Sequence, residues 1–350
     1  MSLRLSLTGR QRALTRPAQN ARQGWTERDA CFITLTSDAG IRGQGEASPL
    51  PGFSPDRLDE CEAALRELDV RRLPESLAVG RSALVELGRL SAQLPARLPA
   101  ARAALECALL DLWSRSAGRP AWALLTDARS PIPRRLAALL MGDPEQALAQ
   151  AQHAYARGIR SFKFKIGRAG ALERELAAVG TLRRELGPEV ALRLDANQSL
   201  SLSQARAYLP RFAEHDIEYI EEPCAPADCA ELGDLPLSVA WDESLTQGEL
   251  PACKARALIL KPSLLGGISA CATWVERAAR LGAEIVVSHA FEGPLGLGLS
   301  ALVALCWGSE RLAHGLDLEG ARLSPDALPF LSGAQLRPWS EPGFGLVERA

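Results

Sequence analysis

The sequence predicts an α/β barrel preceded by a smaller α+β region, and two observations carry that expectation. From about residue 134, short apolar runs alternate with helical segments at 144–157, 171–186 and 201–215. Repeated strand–helix units with short connections build a parallel sheet, and roughly seven or eight such units fit the available length. The second observation is chemical. Five of the runs end in or next to a charge, in the order Lys, Asp, Glu, Asp, Lys: Ser161-Phe-Lys-Phe-Lys-Ile-Gly167, Leu192-Arg-Leu-Asp-Ala-Asn197, Tyr219-Ile-Glu-Glu-Pro223, Ala240-Trp-Asp-Glu-Ser244 and Leu258-Ile-Leu-Lys-Pro262. Apolar runs at 136–142 and 285–289 flank them.

In chain order, Leu3, Leu5 and Leu7 alternate with Ser2, Arg4 and Ser6, the period of a first strand. That reading is preferred to a transit peptide, which the acid-free, arginine-containing start resembles weakly. The polar segment 11–25 reads as a mobile loop. Cys31-Phe-Ile-Thr-Leu-Thr36 reads as a second strand, a turn falls at Ser37-Asp-Ala-Gly40, and a third strand runs into Gly45-Glu46. Helical periodicity covers 56–70 and 80–118. The face containing Ala103, Cys107, Leu110 and Trp113 is joined by Leu105, Leu109 and Leu112, so this helix is apolar nearly all round and should be buried. Gly118 supplies its cap.

With 350 residues, 47% hydrophobic and 23% charged, the chain can bury a large core. A net charge of −2 without a basic tract argues against a nucleic-acid partner, and no apolar run reaches the ~20 residues that span a bilayer. The eight cysteines are scattered, which suggests reduced thiols and a cytoplasmic location. Cys224 and Cys229 do not have zinc-knuckle spacing. Leu295-Gly-Leu-Gly298 lacks the third glycine of a dinucleotide fingerprint.

Strand parity gives the charges a common direction. In Phe162-Lys-Phe-Lys-Ile166 the apolar residues share one face and both lysines the other; Arg193 and Asp195 likewise oppose Leu192 and Leu194. In a barrel, the apolar face meets the helices and the charged face opens at the strand C-termini, where barrel enzymes keep their active sites. Asp195, a glutamate from the pair Glu221 and Glu222, and Asp242 supply hard oxygens suited to Mg²⁺ or Mn²⁺. Parity does not choose between the two glutamates. A neighbouring cation or burial makes a lysine easier to deprotonate, and Lys163 is such a neighbour for Lys165. Together these residues suggest metal-assisted handling of a proton next to a carboxylate.

Lys163-Phe-Lys165, Asp195-Ala-Asn197, Glu221-Glu-Pro223, Asp242-Glu-Ser244 and Lys261-Pro262 resemble the enolase superfamily, muconate-lactonizing subgroup. The resemblance implies a modified TIM barrel, (β/α)7β, with an α+β capping domain built from the N-terminal region and the C-terminal tail. The implied boundaries are 1–105 for the cap, 106–320 for the barrel and 321–350 for a segment returning to the cap. It implies Asp195, Glu221 and Asp242 as Mg²⁺ ligands, Mn²⁺ being an acceptable substitute. Lys165 resembles the base and Lys261 the lysine on the opposite face. Lys163, Arg193 and Asn197 resemble supporting residues.

Gly43-Gln-Gly-Glu-Ala-Ser-Pro-Leu-Pro-Gly-Phe-Ser54 resembles one lyase branch of that subgroup. It implies syn dehydration of a cyclohexadiene carboxylate, with racemisation or epimerisation of an N-acylated amino acid or dipeptide as the alternative and a non-catalytic binding barrel as the more remote one. Segments 11–25 and 49–53 of the cap would close over the substrate. Ser288, His289, Glu292, Gly293 and Phe53 are its candidate contacts, although His289 and Phe291 stand where the branch carries small residues. The expected partner is a small carboxylate substrate, with no nucleic acid and no membrane; the oligomeric state is not set by the sequence.

Overall fold

Three antiparallel strands, Arg4–Gln19, Gly24–Thr36 and Arg42–Ala47, open the chain. Alternation places Cys31, Ile33 and Leu35 in the core, with Leu5 and Leu7 packed against it. The computed structural model describes residues 3–19, 24–78, 82–126, 130–248, 250–251, 254–317, 328 and 330–346. The expected turn is present, with Gly40 N–H donating to the Ser37 carbonyl at 2.9 Å.

The expected loop at 11–25 is instead the far end of a hairpin. Ala13 pairs with Glu27 and Ala18 with Trp25, across a register shift. Residues 20–23 lie outside the described residues. The third strand reaches only the Cys31–Thr36 half of the second, so the far half is a two-stranded ribbon. Backbone pairing does not require an apolar period, and a ribbon buried at only a few positions does not show one. Leu14 and Ala18 are its buried anchors, and they pack in a cluster with Leu50, Leu264, Ala290 and Phe291.

The helix Pro99–Ser116 lies against the strand Arg42–Ala47, and it is buried along nearly its whole length, as its all-round apolar pattern requires. Gly43 and Gly45 permit this approach: a Cβ on Gly45 would stand 1.9 Å from the Ala104 carbonyl oxygen, and one on Gly43 2.2 Å from that of Ala108. The described part of the C-terminal segment returns to the same helix. Phe344 N–H donates to Asp111 Oδ1 and Arg115 Nη2 to the Leu346 carbonyl. Residues 318–327, 329 and 347–350, which belong to the expected barrel end and returning segment, lie outside the described residues.

The larger sheet has seven parallel strands: Ala138–Leu140, Ser161–Lys165, Ala191–Asp195, Ile217–Glu221, Val239–Trp241, Ala255–Leu260 and Glu284–Val287, neighbours in space in that order. Between its first and last strands lies 314–315. His314 bridges Leu136, and Gly315 bridges Ser288, both in parallel. This segment closes the barrel. The intervening helices are well signalled: Asp143 and Ser201 form capping boxes with Gln146 and Gln204 at the starts of Pro144–Ala156 and Leu202–Ala213. Among the described residues, no helix is long and apolar enough to cross a membrane.

Adding a methyl at Gly45 forces the strand and helix apart. Gly45→Ala should cost about 1–3 kcal/mol, the range for overpacking a tight contact, seen as a lower urea midpoint at an unchanged m-value. A wild-type midpoint would contradict the close approach.

Candidate active site

Parity works as the alternation requires. Phe162, Phe164 and Ile166 are buried in the main core, while Lys163 and Lys165 line a cavity at the C-terminal mouth of the barrel. Arg193, Asp195, Asn197, Glu221 and Lys261 line the same cavity. The register brings Lys165, Asp195 and Glu221 side by side on three consecutive strands. Below them Tyr219, Ala240, Ala257, Ile259, Val286 and Leu312 fill the barrel interior. The cap contributes Trp25, Leu50 and Phe53 to the cavity wall.

Each carboxylate has an ammonium against it. Lys163 Nζ lies 2.7 Å from Glu221 Oε2 and 3.1 Å from Asp195 Oδ2. Lys165 Nζ lies 3.0 Å from Asp195 Oδ2 and 2.6 Å from Asn197 Oδ1. Lys261 pairs with Asp242, which sits behind it rather than on the cavity wall. Lys261 also stands 4.9 Å from the centre of the Phe53 ring.

Burial opposes charge on every one of these groups, and their neighbours decide the outcome. Burial would lower the Lys163 pKa, but Asp195, Glu221 and Asp242 together hold it well above the ordinary value. Lys163 is therefore a fixed cation here. Burial works in the same direction on Lys261, which Asp242 and Glu243 hold above the ordinary lysine value. Burial would raise Asp195, yet Lys163, Lys165 and Lys261 outweigh it and hold the carboxyl low. Glu221 is pushed up to about 7, by burial first and then by repulsion from Asp195 and Asp242, against the pull of Lys163.

The choice that parity leaves open has a structural counterpart. Glu221 faces the cavity. Glu222, at φ +40°, turns the other way and accepts from the backbone N–H groups of Asp242 and Ser244, the Ser244 hydroxyl and Gln198 Nε2. It organises the turn that carries Asp242. Arg193 donates to Glu218 Oε2 at 2.6 Å and to the Ala313 carbonyl at 2.7 Å, and lies over the Tyr219 ring. Asn197 links Lys165 to Glu243.

The candidate substrate contacts divide. Phe53, Ser288 and His289 line the cavity; Glu292 and Gly293 do not. The Glu292 carboxylate is taken up by the Ser263 hydroxyl and the Ala290 N–H, and the Gly293 N–H by Glu46. His289 Nδ1 accepts from the Phe291 N–H at 3.0 Å, and the two rings meet edge to face. Sequence reasoning missed the groups that set this loop. Arg12 and Arg28 both donate to the Phe291 carbonyl, holding that residue at φ +61°, and Glu46 receives the N–H groups of Gly293 and Gly296. Glu46 lies inside the quoted N-terminal motif, which is the one available signal. Arg28 carries none, because it sits in a ribbon without apolar period.

Hard oxygen donors on three adjacent strand ends are the chemistry of a divalent-cation site. Among the described residues, no three carboxylate, imidazole or thiol side chains are gathered to ligand distance as they stand; the lysines occupy the space between them. The donor set fits the ion, and Asp195, Glu221 and Asp242 are the residues that would hold it.

Residues 146–348 match the family described as Enolase C-terminal domain-like, and residues 4–126 match the mandelate racemase/muconate lactonizing enzyme N-terminal domain. The chain belongs to the enolase superfamily, with the cap and barrel that define it. Within that superfamily its sequence relatives include o-succinylbenzoate synthases. The one from Desulfotalea psychrophila is 32% identical over 319 residues, 82% of this chain and 85% of that one. The one from Klebsiella pneumoniae is 29% identical, over 90% and 87% of the two chains. Among solved structures, a dipeptide epimerase from Methylococcus capsulatus complexed with Mg and the dipeptide L-Arg-D-Lys superposes with a TM-score of 0.81. It is 26% identical, and the match covers 99% of this chain and 100% of that one.

The raised Glu221 pKa makes a signed prediction for metal-free protein. A carboxyl that binds its proton more tightly folded than unfolded loses stability as pH rises, here from the ordinary glutamate value of 4.5 up to about 7. In chelator, the thermal midpoint of Glu221→Gln relative to wild type should therefore climb between pH 4.5 and 7. A flat difference would show that Glu221 is not under this strain.

Proposed function

We propose that the protein is an o-succinylbenzoate synthase, catalysing Mg²⁺-dependent syn dehydration of 2-succinyl-6-hydroxy-2,4-cyclohexadiene-1-carboxylate in the cytoplasm, as a step of menaquinone biosynthesis. The observation that carries the reading is that Lys165 and Lys261 enter one buried cavity from strands separated by three others, across the barrel mouth. The synthase relatives support the particular reaction. Bound by Asp195, Glu221 and Asp242, Mg²⁺ would supply Lewis-acid stabilisation for a carboxylate gaining negative charge, and Mn²⁺ should substitute.

Lys165 is the base. Its Nζ is aimed by Asp195 and Asn197, takes the proton α to the substrate carboxylate, and as the conjugate acid returns a proton to the hydroxyl leaving from the same face. Lys261 stays protonated beside Asp242 and offers a fixed positive charge to the opposite face of the enediolate. Lys163 is held as a cation and offsets part of the repulsion between Glu221 and Asp195. Trp25, Leu50 and Phe53 cover the cavity and limit water around the reacting carbon.

Racemisation or epimerisation is the second reading, because two opposed lysines also suit two-base proton transfer, and a dipeptide epimerase shares the fold at 26% identity. Lys165→Ala should lower dehydration by at least about 10²–10⁴-fold, the usual range for general acid–base catalysis, and should abolish α-proton exchange in D₂O. Lys261→Arg keeps the charge but changes its shape, so turnover falls while exchange through Lys165 persists. Retained exchange with one enantiomer of an N-succinylamino acid in Lys165→Ala, with the other in Lys261→Ala, and no dehydration would establish the racemase instead.

Chelation should remove activity, and Mg²⁺ or Mn²⁺ should restore it. Asp195→Asn should be inactive with an unchanged far-ultraviolet circular dichroism spectrum. Full turnover by the chelated enzyme, followed by ultraviolet absorbance of the aromatic product, would falsify the metal assignment.

A further inference from the structure

Directly behind the turn held by Glu222, Cys224 and Cys229 face each other. Both are wholly buried, and their sulfurs stand 2.7 Å apart. Cys229 Sγ is also 3.3 Å from the Cys224 carbonyl oxygen. That separation is too close for two sulfurs in ordinary nonbonded contact and exceeds the ~2.05 Å of a disulfide by well under an ångström. Backbone contacts hold the pair in place. Cys224 bridges Leu200 immediately after Glu222-Pro223, and Cys229 N–H donates to the Ala225 carbonyl at 2.9 Å, in the short helix Pro226–Glu231. Among the described residues, no other cysteine takes part in this contact.

We propose that Cys224 and Cys229 form a reversible intrachain disulfide that ties the helix Pro226–Glu231 to the end of the strand carrying Glu221. The chemistry is thiol–disulfide exchange with a small disulfide such as oxidised glutathione. One cysteine thiolate attacks the small disulfide and releases one small thiol. The second cysteine sulfur then attacks the mixed disulfide and releases the other. Two protein S–H bonds become one S–S bond, and the two electrons and two protons leave on the two small thiols. Mutual hydrogen bonding and burial disfavour the Cys229 thiolate, so the bond forms as the chain folds or opens and is slow to form in the closed state. Neither sulfur lines the cavity. The bond therefore acts on the stability of the turn behind Glu222 and leaves the reacting groups in place.

The test uses the full chain, refolded from denaturant in a buffer of oxidised and reduced glutathione, beside a sample kept in dithiothreitol. The oxidised protein should titrate with two fewer thiols in denaturant. The fragment Glu222–Glu231, released by a glutamate-specific protease and holding Cys224 and Cys229 but not Cys253, should be lighter by two hydrogens, reversibly on reduction. Its thermal midpoint should lie several degrees above that of the reduced protein, whereas Cys224→Ser/Cys229→Ser should show the same midpoint under both conditions. Two outcomes would overturn the pairing: an unchanged thiol count after oxidative refolding, or a crosslink mapped to any other cysteine. An oxidised midpoint equal to or below the reduced one would overturn the tie.

Discussion

Everything at the mouth of this barrel depends on keeping buried carboxylates ionised. Taking a charge out of water is costly unless an opposite charge and hydrogen bonds meet it. Asp195, Glu221 and Asp242 sit on neighbouring strand ends with little solvent, and three lysines from two strands stand against them. The arrangement is compensated but not relaxed. Asp195 is held low by its three ammonium neighbours, while Glu221, a few ångströms away, is raised by burial and then by the other two acids. A site in which adjacent acids are driven in opposite directions is prepared for a ligand that brings positive charge.

The cap is built around the same need for order at the mouth. Its third strand carries Glu46 onto the N–H groups of Gly293 and Gly296 at the start of the helix Pro294–Trp307, where a negative charge also meets the favourable end of the helix dipole. Arg12 and Arg28 converge from the hairpin on the Phe291 carbonyl. The segment from Ser288 to Gly293 thus has its conformation dictated largely from outside the barrel. Phe291 in a left-handed conformation is sustained by these contacts, since a bulky residue does not adopt it unaided.

Much of this was legible in the sequence because strand parity is a strict rule. A two-residue repeat of Phe and Lys leaves no doubt which side chains share a face, so the direction of Lys163, Lys165, Arg193 and Asp195 could be read directly. Helices with capping boxes were equally clear. Three things were hidden. The ribbon at 11–25 lacks an apolar period because it is paired through backbone and packs through only a few residues. Glu222 differs from Glu221 by a backbone dihedral that no residue type announces. Glu292 and Gly293 sit in the segment expected to contact substrate, but their polar groups are consumed in shaping the loop.

Barrel closure at His314 and Gly315 has a further bearing on which part of the cavity wall can give. Elsewhere, adjacent strands are laced along several consecutive residues, as where Ser161–Lys165 runs beside Ala191–Asp195. At the closure, single bridges to Leu136 and Ser288 join the two ends of the sheet. Ser288 and Gly315 line the cavity at this seam, whereas Lys163, Lys165 and Asp195 lie on two strands that pair along their whole length. The seam can therefore shift with less loss of backbone pairing than the strands that carry Lys165 and Asp195.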